Sequence, residues 1–549
     1  MRKRSPRTDK PECQNRKQID TRIRPHSKSC FYRVRTRPQI SPNDQTKSRQ
    51  MTKRQYPRLG KAYSRDLFAK LPNRIPPTVE SENGQLSNQN LIEILDIQIK
   101  NQYICGKFSV RKMKEYKKRV ADQILSDKLE SSGAVLIEGP KYCGKTTLAS
   151  QQAGSILSMA DPERLSQNLA LARTNISRLL AGKTPRLIDE WQIAPQFWDA
   201  VRNEVDKRDE DGQFMLTGSA VPPKPKKDEN GNIIEEEKIY HTGTGRISRL
   251  KLRPMSLWES EDSTGDVSLG HLFENADTVD GESHIDLDRL AFLTCRGGWP
   301  KAVLRKKEKA SLAQAFDYFD SVVSTDIKRV DDVERDEELA RRIMRSYARN
   351  QGSQATVGTI LADIKNNGDE QMSDATVYSY IKALKEIFVI EDSTAWNPNL
   401  RSKTAIRTSD TRYFIDPSIA TAALGLGPKD LINDMETFGL IFETLAVRDL
   451  RVYADALDGK VYHYRDKNNL ECDAVVHLRN GSYGLVEIKI GGTDLINAGA
   501  DTLTTLAEKI DSTKMKRPSF LMVLTGIGDY PYRRTEDGVL VVPIGSLRD

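Results

Sequence analysis

One eight-residue stretch constrains this chain more than any other. Gly139-Pro-Lys-Tyr-Cys-Gly-Lys-Thr146 follows directly on the apolar run Ala134-Val-Leu-Ile-Glu138. A strand running into G-x-x-x-x-G-K-T is the Walker A pattern. Glycines let backbone N–H groups curl around phosphate oxygens, and the helix N-terminus that follows adds its dipole. The expected ATP-binding loop is therefore Gly139, Pro140, Lys141, Tyr142, Cys143, Gly144, Lys145, Thr146 and Thr147. Within it Lys145 is expected to reach the β- and γ-phosphates, and Thr146 to hold Mg²⁺ through its hydroxyl. Chance produces the four fixed positions in only ~1–2% of chains this long, so a plain glycine turn competes poorly.

Such a loop needs a second buried strand ending in acid, and Arg186-Leu-Ile-Asp-Glu190 supplies one. Asp189 is expected at the Mg²⁺ shell and Glu190 is expected to polarise the attacking water. A third run, Phe214-Met-Leu-Thr-Gly-Ser219, ends in polar residues, with Ser219 expected near the γ-phosphate. Arg246, in Thr242-Gly-Thr-Gly-Arg246, is the candidate finger for transition-state charge, and Arg249 the runner-up.

The 549 residues suggest three or four domains at roughly 150 residues each. No uncharged stretch approaches the ~18 residues of a membrane helix, so no membrane partner is expected. The six cysteines show no C-x-x-C pair and the six histidines no ligand cluster, which fits a reducing, cytoplasmic setting and disfavours a zinc enzyme. The net charge of +8 hides a division. Residues 1–74 hold 22 Lys and Arg against 5 Asp and Glu, whereas the remainder has 63 basic and 72 acidic residues. That basic arm has few apolar residues and is expected to be disordered. It could bind nucleic acid through phosphates, but the preferred expectation is a dispensable tail. Met51 and Met113 are alternative starts, the second opening the recognisable body.

Residues 116–300 alternate apolar runs with helical segments, the pattern of an α/β domain with a parallel sheet. Stretches 222–238 and 259–283 read as loops, the first with Asn230-Gly231 at its tip and the second acidic. From 305 to 400 the pattern is helical, with helices near 309–328, 336–350, 356–364 and 373–387 and a short strand at 388–392. Helix, helix, strand resembles a winged helix-turn-helix. Its second helix, Ser373-Asp-Ala-Thr-Val-Tyr-Ser-Tyr-Ile-Lys382, would turn Lys382 and Lys385 towards phosphates. Residues 410–549 return to mixed α/β, with strands at 461–464, 474–478, 485–490 and 520–524.

The body from about 116 to 530 resembles the prokaryotic AAA-type ATPases with a C-terminal domain of unknown function. Beyond the Walker residues, the likeness rests on Gly245-Arg-Ile-Ser-Arg-Leu-Lys-Leu-Arg-Pro-Met-Ser-Leu-Trp-Glu259, Arg296-Gly-Gly-Trp-Pro300, Trp396-Asn-Pro-Asn-Leu-Arg-Ser-Lys403 and Phe442-Glu-Thr-Leu-Ala-Val-Arg-Asp-Leu450. It implies ATP binding and a modular layout. AAA-type ATPases often form rings because an arginine is donated across subunits, and the resemblance leaves open whether this chain is a homo-oligomer.

In the C-terminal part, Leu485-Val-Glu-Ile-Lys-Ile490 alternates as a strand does, placing Glu487 and Lys489 on one face. Asp473 starts the preceding run, and Glu443 lies in a helical stretch before it. A helical Glu, then Asp, then Glu-x-Lys is the order of the restriction-endonuclease-like fold, PD-(D/E)-x-K. Here Glu471-Cys472 stands where that pattern has Pro. The chemistry such a set serves is metal-assisted phosphodiester hydrolysis. Asp473 and Glu487 would hold Mg²⁺, Glu443 would complete its shell, and Lys489 would orient or deprotonate the water.

The expected fold class is thus multidomain α/β in four parts: a disordered basic tail (1–112), an AAA-type P-loop ATPase core (113–300), a winged-helix-like helical middle (301–400) and a restriction-endonuclease-like domain (401–549). The expected function is ATP binding and hydrolysis coupled to a nuclease-like domain acting on nucleic acid. The competing expectation is an ATP-dependent switch whose C-terminal domain only docks a partner.

Overall fold

Strand β1 (Ala134–Glu138) is buried on both faces, and the chain builds a parallel sheet around it. The computed structural model describes residues 116–218, 243–331, 333–365, 372–397 and 409–549, all within the compact unit Ser109–Asp549. The basic tail, the loop expected at 222–238, Ser219 and the stretch 398–403 lie outside the described residues.

Helix α1 (Val120–Ser131) leads into β1, and α2 (Lys145–Gln152) leaves the glycine loop that follows it. Strands β2 (Ser155–Ser158), β3 (Arg186–Asp189), β4 (Phe214–Gly218) and β5 (Ile247–Lys251) complete the sheet in the order β2-β3-β4-β1-β5. All its pairings are parallel, so every strand end points to one edge. Helix α3 (Phe197–Arg208) covers one face with Trp198, Val201 and Val205, while Leu125, Leu148 and Ala149 cover the other.

The acidic stretch 259–283, expected as a loop, contains structure. Val267–Ser268 (β6) pairs with β13 (Leu547–Arg548) near the end of the chain, and a short helix, Leu269–Glu274, follows it. Its leucines explain the difference, because Leu269 and Leu272 drop into the large core. That core takes in Val120 on α1, runs on from Leu257 to Leu547 and includes the middle helices. These are α4 (Glu308–Ser321), α5 (Glu337–Arg349), α6 (Val357–Lys365) and α7 (Asp374–Glu386). The expected strand at 388–392 is only an isolated antiparallel bridge, Ile390 to Phe414, with a second from Ser393 to Thr411.

The 22-residue α8 (Met435–Ala456) enters a six-stranded sheet. Strands β7 (Gly459–Arg465), β8 (Glu471–Leu478) and β9 (Tyr483–Lys489) are antiparallel neighbours. Helix α9 (Thr493–Lys509) then crosses over to β10 (Phe520–Thr525), parallel to β9. A strand absent from the sequence reading, β12 (Leu540–Pro543), pairs with β10, and β11 (Tyr532–Arg533) closes that edge.

The Arg296-Gly-Gly-Trp-Pro300 segment locks these layers together. Asp416 Oδ2 accepts from the Gly298 N–H at 2.9 Å and from Arg448 at 2.9 Å, both within the core. Trp299 donates to Ser418 and stacks on Tyr318 with centroids 4.2 Å apart. Gly298 is required by close approach: a Cβ there would lie 2.1 Å from the Met255 carbonyl oxygen. Backbone cannot yield as a side-chain tip can. Gly298→Ala should therefore lower stability by about 3 kcal/mol, read as a fall in the urea midpoint with an unchanged slope.

Candidate functional site

Two polar clusters stand at strand ends, one in each sheet. In the first, Gly139 adopts φ 152° and a Cβ there would lie 2.1 Å from the Leu252 carbonyl oxygen, so the loop closes only with glycine. Lys145 is 7% exposed, and its ammonium donates to the carbonyl oxygens of Gly139 (2.9 Å) and Pro140 (2.8 Å). A cation is thus held inside the ring of loop backbone where phosphate oxygens would enter. The Thr146 hydroxyl donates to Asp189 Oδ1 at 2.6 Å, and the Thr217 hydroxyl donates to the same oxygen at 2.7 Å. Sheet order is the cause: β4 lies between β1 and β3, which brings Thr217 beside Asp189. Thr217 belongs to the polar end of the third run, two residues before Ser219. Glu190 follows β3 with φ 57° and accepts from the Gln192 side-chain amide. Thr147 is exposed on the first turn of α2, with its carbonyl bonded to Gln151.

Three loop residues reach outward. Lys141 forms an ion pair with Asp326, just after α4, and the exposed Tyr142 meets Tyr318 edge-on at 6.5 Å. Cys143 is buried, which pushes its thiol up from the ordinary range, and its carbonyl accepts from Arg119 at 3.1 Å. Arg119, itself buried, also pairs with Glu259 at 2.9 Å and donates to the Arg253 carbonyl at 2.8 Å. No sequence motif marks Arg119, since its partners come from three distant segments.

Arg246, the first of the arginines expected at the phosphates, is placed elsewhere. Arg246 sits where the Ala134 N–H meets its carbonyl, at the start of β1 and so at the opposite edge of the sheet from the loop. There it pairs with Asp206 at 2.8 Å. Within one chain it therefore does not face the phosphate loop. Arg249 pairs with Glu138 at 3.0 Å and lies over the Trp198 ring.

The second cluster gathers Asp473, Glu487 and Lys489. Antiparallel register sets Ala474 opposite Val486, which brings Asp473 beside Glu487. The Lys489 ammonium donates to Glu487 Oε2 at 2.7 Å and Asp473 Oδ2 at 3.1 Å, and Asp473 Oδ2 also accepts from the Ile488 N–H. Glu443 on α8 accepts a hydrogen bond from the Tyr413 hydroxyl, and Gly352 leaves it room. Burial, and then the negative charge of Asp473, push the Glu443 carboxyl well above its usual range. The same two causes push Glu487 up to about 8 against the pull of Lys489. Burial opposes the charge on Lys489, but Asp473 and Glu487 outweigh it and raise the ammonium.

Among the described residues no group of three or more His, Cys, Asp or Glu is arranged to hold a metal ion. The expected set of Glu443, Asp473 and Glu487 is thus not gathered as a three-carboxylate cage, because Lys489 lies between two of them and Tyr413 holds the third. The donor chemistry nevertheless fits a hard cation, since the side chains at hand are carboxylates with oxygen donors.

A prediction follows for the metal-free protein. Glu487 binds its proton more tightly folded than unfolded, so the folded state holds more protons between the ordinary glutamate range and about 8. Stability should then fall as pH rises through that window, by about 2–4 kcal/mol. Glu487→Gln should reduce the slope and leave the part that the raised Glu443 carboxyl supplies, measured as chemical-denaturation midpoints in EDTA.

Helices α6 and α7 pack against each other in the large core, which also takes in Val389, Ile390 and Phe414. Lys382 is exposed on α7. Lys385 is not free for a phosphate contact, because it pairs with Asp392 at 2.7 Å. Arg412 joins the same carboxylate at 2.7 Å.

With this geometry in place, three family models match successive segments. An AAA domain matches residues 131–261, a domain of unknown function (DUF8612) residues 287–430, and a further domain of unknown function (DUF4143) residues 438–547. Among solved structures, a Walker-type ATPase of Pyrococcus abyssi is 13% identical with a TM-score of 0.36, covering 57% of this chain and 97% of its own. The Aeropyrum pernix ORC1 protein in complex with DNA is also 13% identical, with a TM-score of 0.21, covering 58% of this chain and 94% of its own. No curated protein matches the chain. The segment from 131 to 261 carries the parallel-sheet α/β core of a P-loop ATPase. No described helix is long and apolar enough to cross a membrane.

Proposed function

We propose that the chain binds and hydrolyses ATP at the phosphate loop and uses that cycle to govern a Mg²⁺-dependent phosphodiester-cleaving site in its C-terminal sheet, with nucleic acid as substrate. Lys145 is the group that meets the β- and γ-phosphates. Thr146 and Asp189, already in contact, are the side chains that would hold Mg²⁺. Glu190, steadied by Gln192, orients the attacking water, and Thr217 reports the state of Asp189. In the C-terminal site Asp473 and Glu487, with Glu443, are the residues that would hold Mg²⁺. That ion, when bound, polarises the scissile phosphoryl group. Lys489 sits between the carboxylates, its ammonium placed to orient the attacking water and to balance developing negative charge.

The convergence of Asp473, Glu487 and Lys489 carries the nuclease reading, for splayed carboxylates could not share one cation. The order α8-β7-β8-β9-α9-β10, with the first three strands antiparallel, supports it. The exposed face of α7 is the proposed nucleic-acid contact. A second reading, the ATP switch with a docking C-terminal domain, draws on Lys489 and Tyr413, which already satisfy the carboxylates without metal.

The deciding experiment incubates the protein with mixed DNA and RNA substrates, with Mg²⁺ or Mn²⁺, with and without ATP. Metal-dependent cleavage is the expected result. ATP hydrolysis with no cleavage of any substrate would favour the switch.

A further inference from the structure

A continuous set of contacts joins the two sites, and its members come from six separate stretches of the sequence. It starts at the phosphate loop, where Arg119 bonds the Cys143 carbonyl and, through its other terminal nitrogen, the Arg253 carbonyl. The Arg253 side chain makes a two-pronged pair with Glu391, 2.8 Å on each prong, and pairs with Asp455 on α8. The Glu391 carbonyl accepts from Arg451, one turn earlier on α8, at 2.7 Å. The Glu391 N–H donates to the Tyr413 carbonyl at 3.0 Å, and Arg451 lies over the Tyr413 ring at 5.5 Å. Tyr413 ends the series by donating its hydroxyl to Glu443.

We infer that the Arg253–Glu391–Arg451 cluster, with Tyr413 as the positioning residue, is the link by which nucleotide at the phosphate loop sets the placement of Glu443. This rests on the proposed function of the two sites and adds the path between them. Arg119, Arg253 and Arg451 are all under 9% exposed, so no water stands ready to replace a lost partner. Buried pairs of this kind move together or not at all, because an orphaned charge in a low dielectric is heavily penalised. Phosphate entering the loop turns its backbone N–H groups inward, and the Cys143 carbonyl moves with them. Arg119 is tied to that carbonyl and passes the shift to the segment after β5. Helix α8 then feels it at Asp455 and Arg451, while Tyr413 carries it to the carboxylate two turns earlier on the same helix. Lys251 reinforces Glu391 from the same strand end at 3.1 Å. Burial would raise the Glu391 carboxyl, and Arg253, Lys251 and Arg451 overcome it, so Glu391 stays charged.

The test is hydrogen–deuterium exchange of the full chain with and without saturating AMP-PNP and Mg²⁺. Saturation is set by a separate fluorescent-nucleotide titration. In the unaltered protein, nucleotide should change exchange at 409–416 and at 438–447 by at least about fivefold. Glu391→Gln should keep nucleotide affinity and lose both responses. Tyr413→Phe, which keeps the ring over Arg451, should retain the response at 409–416 and lose that at 438–447. It supplies the answer if Glu391→Gln fails to fold. Saturation with no change at either segment, or equal responses in the folded variants, would overturn the link while leaving the ATP site intact. Absence of any nucleotide binding would instead overturn the ATP reading, and the link with it.

Discussion

Lys489→Ala is expected to abolish metal-dependent cleavage while leaving ATP hydrolysis within about twofold of the unaltered protein. Its ammonium bridges Asp473 and Glu487 at 3.1 and 2.7 Å. Removing a preorganised donor to developing transition-state charge typically lowers a rate ~10²–10³-fold. The substitution also leaves two carboxylates facing each other, so part of any loss could come from local unfolding. Lys489→Arg separates the causes, because it keeps the positive charge but moves it off the bridging point. The arginine variant should melt like the unaltered protein and still cleave at least about tenfold more slowly, in single-turnover assays on a labelled oligonucleotide. Full activity in Lys489→Arg would reduce the lysine to a structural cation.

Lys145→Ala should remove ATP hydrolysis and, with it, any effect of ATP on cleavage. Among the described residues the lysine bonds two backbone carbonyls, both of the loop itself. Loop closure rests on Gly139 and on Arg119, so the fold should survive the substitution. Losing one preorganised donor to developing phosphate charge lowers turnover ~10²–10³-fold, or about 3–4 kcal/mol. Steady-state phosphate release measures the first effect, and the ratio of cleavage rates with and without ATP the second. Basal cleavage in the absence of ATP should be unchanged. A variant that hydrolyses ATP normally would remove this loop from the mechanism.

The sequence made the local chemistry legible and left the long-range chemistry dark. Gly139 to Thr146, Asp189 and Glu190 are read from spacing alone, because each lies at the end of an apolar run whose strand character is plain. Asp473, Glu487 and Lys489 are read for the same reason, as strand periodicity fixes which side chains share a face. Arg246 shows the limit: glycine-rich flanks suggest a catalytic loop, yet parallel register delivers that residue to the wrong edge of the sheet. Lys385 shows another, since nothing local reveals that Asp392 will hold it. Arg119 and Tyr413 were out of reach altogether. Their partners are chosen by tertiary packing, and neither sits in a pattern that a window of neighbouring residues could betray.

The pairing of Leu547–Arg548 with Val267–Ser268 bears on how the chain acquires this structure. During synthesis, the segment just beyond the ATPase sheet waits without its partner until nearly all of the C-terminal sheet has been made. The large core has the same property, since Leu257 and Leu547 belong to one cluster. Contacts this far apart in sequence close slowly, because the intervening chain must first lose its freedom. The P-loop sheet has all its strands within residues 134–251 and can form before the C-terminal sheet is made. Refolding should therefore show a fast phase from the first sheet and a slow one in which the middle helices and C-terminal sheet settle together.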